Sequence, residues 1–270
     1  MTMQWQRLLS RKRLGSSQKP SEITARTDFQ RDFDRVVFSS AFRRMQDKTQ
    51  IFPLTKIDYV RTRLTHSLES SSVGRSLGTL VGEQIIARHR LVASEASDFG
   101  DICAARLPRP RYRQSAIWPL RRGCDPPLGR DPPPTAAKRV GVLRDSQRED
   151  FLNFEGNAQG FRVLTRLQNR DNPGGLQLTA ATLAAFTKYP RESCIGSGRF
   201  DGVSAKKPGF TAEDREHFEM VAQSVGLIRR DPMLGIWYRH PLAFLVEAAD
   251  DICYRVTRYR GWLSGRPSEF

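Results

Sequence analysis

The sequence predicts an all-α protein, on three observations. Apolar residues return at helical spacing through long mixed-charge segments, nothing alternates with period two over more than a few residues, and no glycine-rich phosphate loop follows a strand-like run. The first segment, from Thr27, is TDFQRDFDRVVFSSAFRRM, which sets Phe29, Phe33, Val36, Val37 and Ser40 on one face and charges on the other. The second, 64–87, repeats the pattern through Leu64, Leu68, Leu77, Leu80, Val81 and Ile85. A third helix is expected over 151–168, and a fourth over 177–189, ended by Pro190. The fifth spans 211–228, with Thr211 as its N-cap and Glu213 and Asp214 in the first turn. The last is HPLAFLVEAADDICYRV, with Pro241 at a favoured first-turn position.

An apolar share of 39% with 9% aromatics is enough for a packed core in 270 residues, which excludes a disordered chain. No apolar run approaches the roughly 18 residues needed to span a bilayer, so no membrane partner is expected. The basic start has no apolar stretch of the secretory kind, and the four cysteines form no C-x-x-C pair. Reduced thiols and a cytoplasmic location are the expectation.

One stretch breaks the pattern. Residues 106–148 hold eight of the sixteen prolines and eleven Arg and Lys against three Asp. They supply +8 of the net +15, leaving +7 on the other 227 residues. The expected organisation is a loose basic N-terminus (1–25) and a helical domain (26–257) interrupted by an aberrant Arg/Pro-rich segment (106–144). An aberrant, truncated tail (258–270) follows.

Two positions carry chemistry on physical grounds. His66 lies in RLTHSLE beside Leu64 and Leu68, where a lone helical histidine also reads as a satisfied core residue. In the last helix, Leu242, Leu245, Val246, Ala249, Ile252, Cys253 and Val256 fall on one arc about 120° wide at roughly 100° per residue. Asp250 sits at the edge of that arc and Asp251 nearly opposite. A carboxylate at a buried edge is costly unless it is paired or binds a metal, which favours Asp250.

These strings, with RTDFQRDFDRVVFSSAFRRMQDKTQIFPL, DYVRTRLTHSLE, FLNFEGNAQGFRVLTRLQ, GGLQLTAATLAAFTKYPRES and SAKKPGF, resemble the deoxyguanosinetriphosphate triphosphohydrolases of the HD-domain superfamily. The likeness covers roughly 26–105 and 145–257. It implies an HD-type helical fold, incomplete here, and hydrolysis of dGTP or other dNTPs to deoxynucleoside and tripolyphosphate. It also implies a homo-oligomer and a divalent metal, Mg2+ or Mn2+. Such a metal would have four ligands: a histidine, an adjacent His-Asp pair and a late aspartate. His66 matches the first ligand and Asp250 the last. Gln50 and Arg63 match a nucleoside contact and a phosphate contact, and Lys188, Tyr189 and Lys207 look like further nucleotide contacts. Without the resemblance, these five read as solvated charges or core residues.

The middle of the signature is missing. After DICAA the family pattern continues as CLAHDIGNPPFGHSGEDAI, which carries the His-Asp pair and then a histidine and glutamate suited to proton transfer. In ordinary codons, Asp-Ile-Gly-Asn is GAT ATC GGC AAT; one added C regroups it as CGA TAT CGG CAA. Carried on through Pro-Pro-Phe-Gly-His-Ser-Gly-Glu-Asp-Ala-Ile-Pro, the regrouped text reads RYRQSAIWPLRRGCDP, residues 111–126 as they stand. The reading is a one-nucleotide frameshift across the metal-binding signature, with the frame regained by about Asp145. RYRG at 258–261 regroups in the same way to Asp-Ile-Glu-Asp, the family's continuation. The acid–base pair is thus displaced, and His89, His217 and His240 match no ligand position. The chain as written is expected to be inactive. The alternative is a catalytically dead relative that binds nucleotide or single-stranded nucleic acid through Gln50, Arg63, Lys188, Lys207 and the basic strip. A third reading, an Arg/Pro-rich nucleic-acid arm inserted in a helical domain, has only Tyr112 and Trp118 for base stacking.

Overall fold

The computed structural model describes residues 2–17, 25–46, 62–105, 144–195 and 200–263. Gln50 and the Arg/Pro-rich segment up to residue 143 lie outside the described residues, as do 264–270 of the tail. The protein is all-α: α1 (Trp5–Leu8), α2 (Asp28–Val37), α3 (Ser40–Arg43), α4 (Arg63–His89), α5 (Ala96–Ala105), α6 (Asp145–Leu152), α7 (Gly156–Arg162), α8 (Ala180–Phe186), α9 (Arg215–Val225) and α10 (Leu242–Leu263). Extended pairing among the described residues is confined to isolated bridges, such as Glu192 with Phe210. No helix among these residues is long and apolar enough to cross a membrane.

The first predicted helix divides in two. Thr27 opens α2 with a reciprocal capping box, its hydroxyl taking the Gln30 N–H at 3.2 Å while Gln30 Oε1 takes the Thr27 N–H at 3.1 Å. The helix stops at Val37, and Ser39 caps the single turn of α3. Phe29 and Val36 are buried as expected, but Ser40 is exposed and Asp32 takes a buried place instead.

The longest helix, α4, corrects the expected face. Leu68 and Leu80 are exposed, and the buried residues are His66, Ser67, Ser70, Ser71, Gly74, Gly78 and Gly82. These small residues form a seam along which α5 lies close. A Cβ on Gly78 would stand 2.6 Å from the Phe99 carbonyl oxygen, and one on Gly82 would meet the Phe99 ring at 2.9 Å. Helix separation is set by the side chains at the crossing, so a row without bulk admits a backbone where a leucine row would hold it off. Periodicity missed α5 itself, because Phe99, Ile102, Cys103, Ala104 and Ala105 are all buried, as are Asp98 and Asp101. A short helix covered on every side shows no amphipathic stripe.

The predicted helix over 151–168 breaks at Asn153, whose amide donates to the Glu149 carboxylate and the Ser193 carbonyl. It resumes as α7 and ends in a π-helical turn, Val163–Leu167. Thr179 caps α8, which ends at Phe186, short of Tyr189. Thr211 does not cap a helix through its hydroxyl, which donates instead to Asp214 Oδ2 at 2.6 Å. The Asp150 carboxylate takes the Ala212 N–H at 2.8 Å, a 3₁₀ turn (Ala212–Asp214) follows, and α9 ends at Gly226 with φ 68°. Phe161, Phe210, Phe218 and Trp237 close the core beneath α9, with Phe210 and Phe218 stacked at 4.4 Å.

The start of the chain is not loose. Leu8, Leu9 and Leu14 are buried in the core, and Arg13 pairs with Asp32 at 2.6 Å and Asp28 at 2.9 Å. The charges that suggested a solvated tail in the sequence include an arginine with two carboxylate partners. At the other end, α10 buries Leu242, Ala243, Val246, Ala249 and Cys253, while Ile252 and Val256 leave the expected arc and are exposed.

His240 ties these two ends together. Its Nε2–H donates to the Leu8 carbonyl at 3.1 Å, and its Nδ1 accepts the Leu242 N–H at 3.2 Å, which caps α10. Protonation would cost the second bond. Complete burial, only partly offset by the Leu8 carbonyl, pushes the imidazole down to about 4 from 6.5. Between those values the unfolded chain binds a proton that the folded chain refuses, so stability is full above pH 6.5 and falls toward pH 4. The loss from this one group is about 3 kcal/mol. Urea midpoints at pH 7.5 and 4.5 should show it, and His240→Gln should flatten the difference; an unchanged slope in the variant would remove His240 as the cause.

Candidate active site

The small-residue seam of α4 gives His66 its place. His66, Ser70, Gly74, Gly78 and Gly82 follow at intervals of four, so the imidazole lies on the same buried row as the glycines. Asp250 comes from α10, which packs across α4. Its Oδ1 is 2.9 Å from His66 Nε2, which donates to it, and Ser70 Oγ lies 3.5 Å from the same nitrogen. The Tyr254 ring, one turn further along α10, stands 4.6 Å from the imidazole centroid. Asp251 is exposed.

The end of α5 arrives at the same place. The Ser71 hydroxyl donates to the Ala104 carbonyl at 3.2 Å, and Ala105 is buried. The seam therefore delivers the chain at residue 105 to within a helical turn or so of His66. Among the described residues, no three His, Cys, Asp or Glu side chains converge on a point that could hold a metal ion.

A second group lies on the same helix. Glu247 precedes Asp250 by three residues and Tyr254 by seven, which puts all three on one face of α10. Its carboxylate accepts Lys188 Nζ through Oε1 and Arg239 Nη1 through Oε2, the latter at 2.9 Å. Burial alone would push the Glu247 carboxyl up; Lys188 and Arg239 outweigh it and hold it below the usual range. Lys188 also lies over the Tyr189 ring at 5.4 Å. The Arg239 guanidinium sits between Tyr189 and Phe244, at 5.5 and 5.1 Å from their centroids.

Lys207 is placed apart, paired with Glu155 at 3.4 Å. Its strand of loop nevertheless runs beside the Lys188–Tyr189 segment, because the Gly209 N–H donates to the Arg191 carbonyl at 2.8 Å. A Cβ on Gly209 would fall 1.8 Å from the Tyr189 oxygen, so glycine is what lets the two segments touch. Arg63 is half-buried as the first residue of α4, one turn before His66. The fold thus brings His66 and Asp250 together and sets Lys188 and Tyr189 one turn away through Glu247. Sequence reasoning passed over Ser70, Arg239, Glu247 and Tyr254. The spacing of 247, 250 and 254 on one helical face was the available signal for two of them.

No family model matches the chain. Relatives do match. The deoxyguanosinetriphosphate triphosphohydrolase-like protein of Synechocystis sp. is 52% identical over 263 residues, covering 94% of this chain and 58% of that protein. The like-named protein of Pseudomonas aeruginosa is 41% identical over 258 residues, 93% of this chain and 55% of its own length. The deoxyguanosinetriphosphate triphosphohydrolase of Klebsiella pneumoniae is 32% identical over 262 residues, 84% of this chain and 48% of its own length. The chain spans about half the length of the curated relatives it matches.

Proposed function

Because the chain belongs to the deoxyguanosinetriphosphate triphosphohydrolase-like family over the portion it spans, we propose that it retains the nucleotide-binding half of a dNTP triphosphohydrolase and has lost the catalytic half. The reaction of the lineage is dNTP plus water giving deoxynucleoside and tripolyphosphate. The observation that carries the reading is the His66–Asp250 pair. Two residues 184 positions apart converge at 2.9 Å beside the exit of α5, and no third ligand among the described residues joins them.

A divalent ion such as Mg2+ or Mn2+, held in a full ligand set, supplies activated water and neutralises phosphate charge. The described residues do not fit that group. His66 and Asp250 are two donors, bonded to each other, where such ions take about six ligands. What the chain's own residues do is bind. Lys188 and Lys207 offer ammonium groups to a phosphate chain, Arg63 a guanidinium, and Tyr189 a ring edge at the same segment.

The reading frame supports the rest. The regrouping that recovers the family pattern from residues 111–126 continues upstream: RLPRP, written CGC CTG CCT CGC CCA, shifts into Ala-Cys-Leu-Ala-His-Asp when the next codon follows. On this reading the displaced His-Asp pair falls across residues 110–112, a few positions past Ala105, where α5 delivers the chain beside His66.

The test is calorimetric titration of the chain as written with dGTP, alongside product analysis with Mg2+ or Mn2+. Saturable dGTP binding that Lys188→Ala weakens about tenfold, with no tripolyphosphate above the blank, is the expected result. Tripolyphosphate release by this chain would defeat the loss of catalysis, and absence of any dGTP binding would defeat the retained site.

A further inference from the structure

The least expected group near the site is Arg239. It is 6% exposed, yet its Nε and Nη2 have no hydrogen-bond partner among the described residues. A buried guanidinium with idle donors is costly, and native structures keep few of them without a use. Its position is firmly set. The Trp237 N–H donates to the Pro190 carbonyl at 2.9 Å and His240 is anchored on Leu8, which hold the backbone on both sides of Arg239 beside the Tyr189–Pro190 segment.

Its neighbour has the complementary problem. Glu247 spends one carboxylate oxygen on Lys188 and the other on Arg239 Nη1. A phosphate chain that recruits Lys188 must take it from Glu247. That would leave Oε1 of a partly buried carboxylate without its cation, a cost of the same order as the new bond from lysine to phosphate.

We propose that Arg239 is a positioning residue for polyphosphate binding: when Lys188 leaves Glu247 for phosphate, the idle Nη2 of Arg239 takes the vacated Oε1. Arg239 and Glu247 then form a two-point fork, the geometry that guanidinium and carboxylate favour. The spare donors are thus the reserve that makes Lys188 transferable. Lysine in place of Arg239 keeps the charge but has no fork, so Lys188 stays tied. The ligand class is a polyphosphate, and the inference rests on the nucleotide-site reading above.

The experiment uses the chain as written and inorganic tripolyphosphate as the probe, by calorimetry at fixed ionic strength, with a thermal melt of each variant to confirm folding. Arg239→Lys should weaken binding about tenfold, the order of one charge-assisted hydrogen bond. Adding Glu247→Gln to that variant should restore binding to within about threefold of the parent, because no carboxylate is left to compensate. In a Lys188→Ala background, Arg239→Lys should have no further effect. A merely structural role for Arg239 gives no such rescue and no such dependence on Lys188. If the parent binds tripolyphosphate and Glu247→Gln fails to rescue Arg239→Lys, the hand-over is wrong while the nucleotide site stands. If the parent binds neither dGTP nor tripolyphosphate, both readings fall together.

Discussion

Removing one nucleotide ahead of residue 106 and restoring the frame near residue 145, the repair of the frameshift proposed above, should give a protein that turns over dGTP where the chain as written is expected not to. The effect should be the largest available in this chain, because it replaces a blank with catalysis. Enzymes of ordinary power exceed the uncatalysed rate by at least about a millionfold. The physical ground is the convergence already in place. His66 sits on the small-residue seam, Asp250 faces it at 2.9 Å, and α5 ends beside both. On the proposed reading, the repaired text would return a His-Asp pair just beyond α5, and further on a histidine and glutamate suited to proton transfer. Product analysis should find deoxyguanosine and tripolyphosphate in equal amounts, dependent on Mg2+ or Mn2+. His66→Ala in the repaired protein should reduce turnover by at least about a thousandfold. A repaired, folded protein that releases no tripolyphosphate would show that the displaced segment is not the missing catalytic half.

Asp32→Ala should cost about 3–5 kcal/mol, the range for removing one partner of a buried ion pair. Asp32 is fully buried, and every one of its partners loses by the change. Oδ1 takes Arg13 Nη1 at 2.6 Å, while Oδ2 takes the Thr179 N–H at 2.8 Å and its hydroxyl at 2.6 Å. Thr179 is the N-cap of α8, so the loss reaches a helix as well as the N-terminal arm. Against a total stability of roughly 5–15 kcal/mol, that is enough to unfold a marginal domain. Chemical denaturation should show the shift. The double variant Arg13→Met, Asp32→Leu should recover much of it, because no uncompensated charge is then left. A loss below about 1 kcal/mol for Asp32→Ala would mean that Arg13 finds other acceptors.

What could be read from the sequence and what could not divide along physical lines. The all-α class follows from period alone, and the helical wheel separates Asp250, at the edge of a buried face, from Asp251, which the structure leaves exposed. The buried face of α4 could not be read from apolar residues, because the row that packs is serine and glycine. Helix α5 was missed for the opposite reason, being buried all round. Arg13 looked like one more charge in a basic start, since nothing local reveals a carboxylate 19 residues away. Lys188 stands out in the sequence only through the resemblance, and its partner Glu247 lies 59 positions on and meets it only through the fold.

The bond from His240 to the Leu8 carbonyl spans 232 positions, nearly the whole chain. Its consequence lies in time rather than in energy. While the chain leaves the ribosome, Arg13 can pair early with Asp28 and Asp32, but the Leu8 carbonyl has no donor from His240 until that residue has been made. Contacts of such long reach must overcome loop-closure entropy before they return anything, and they slow folding. The Leu8 carbonyl therefore waits through most of synthesis for this one bond, which, once made, fixes the His240 tautomer whose Nδ1 accepts the Leu242 N–H at the start of the helix that carries Asp250.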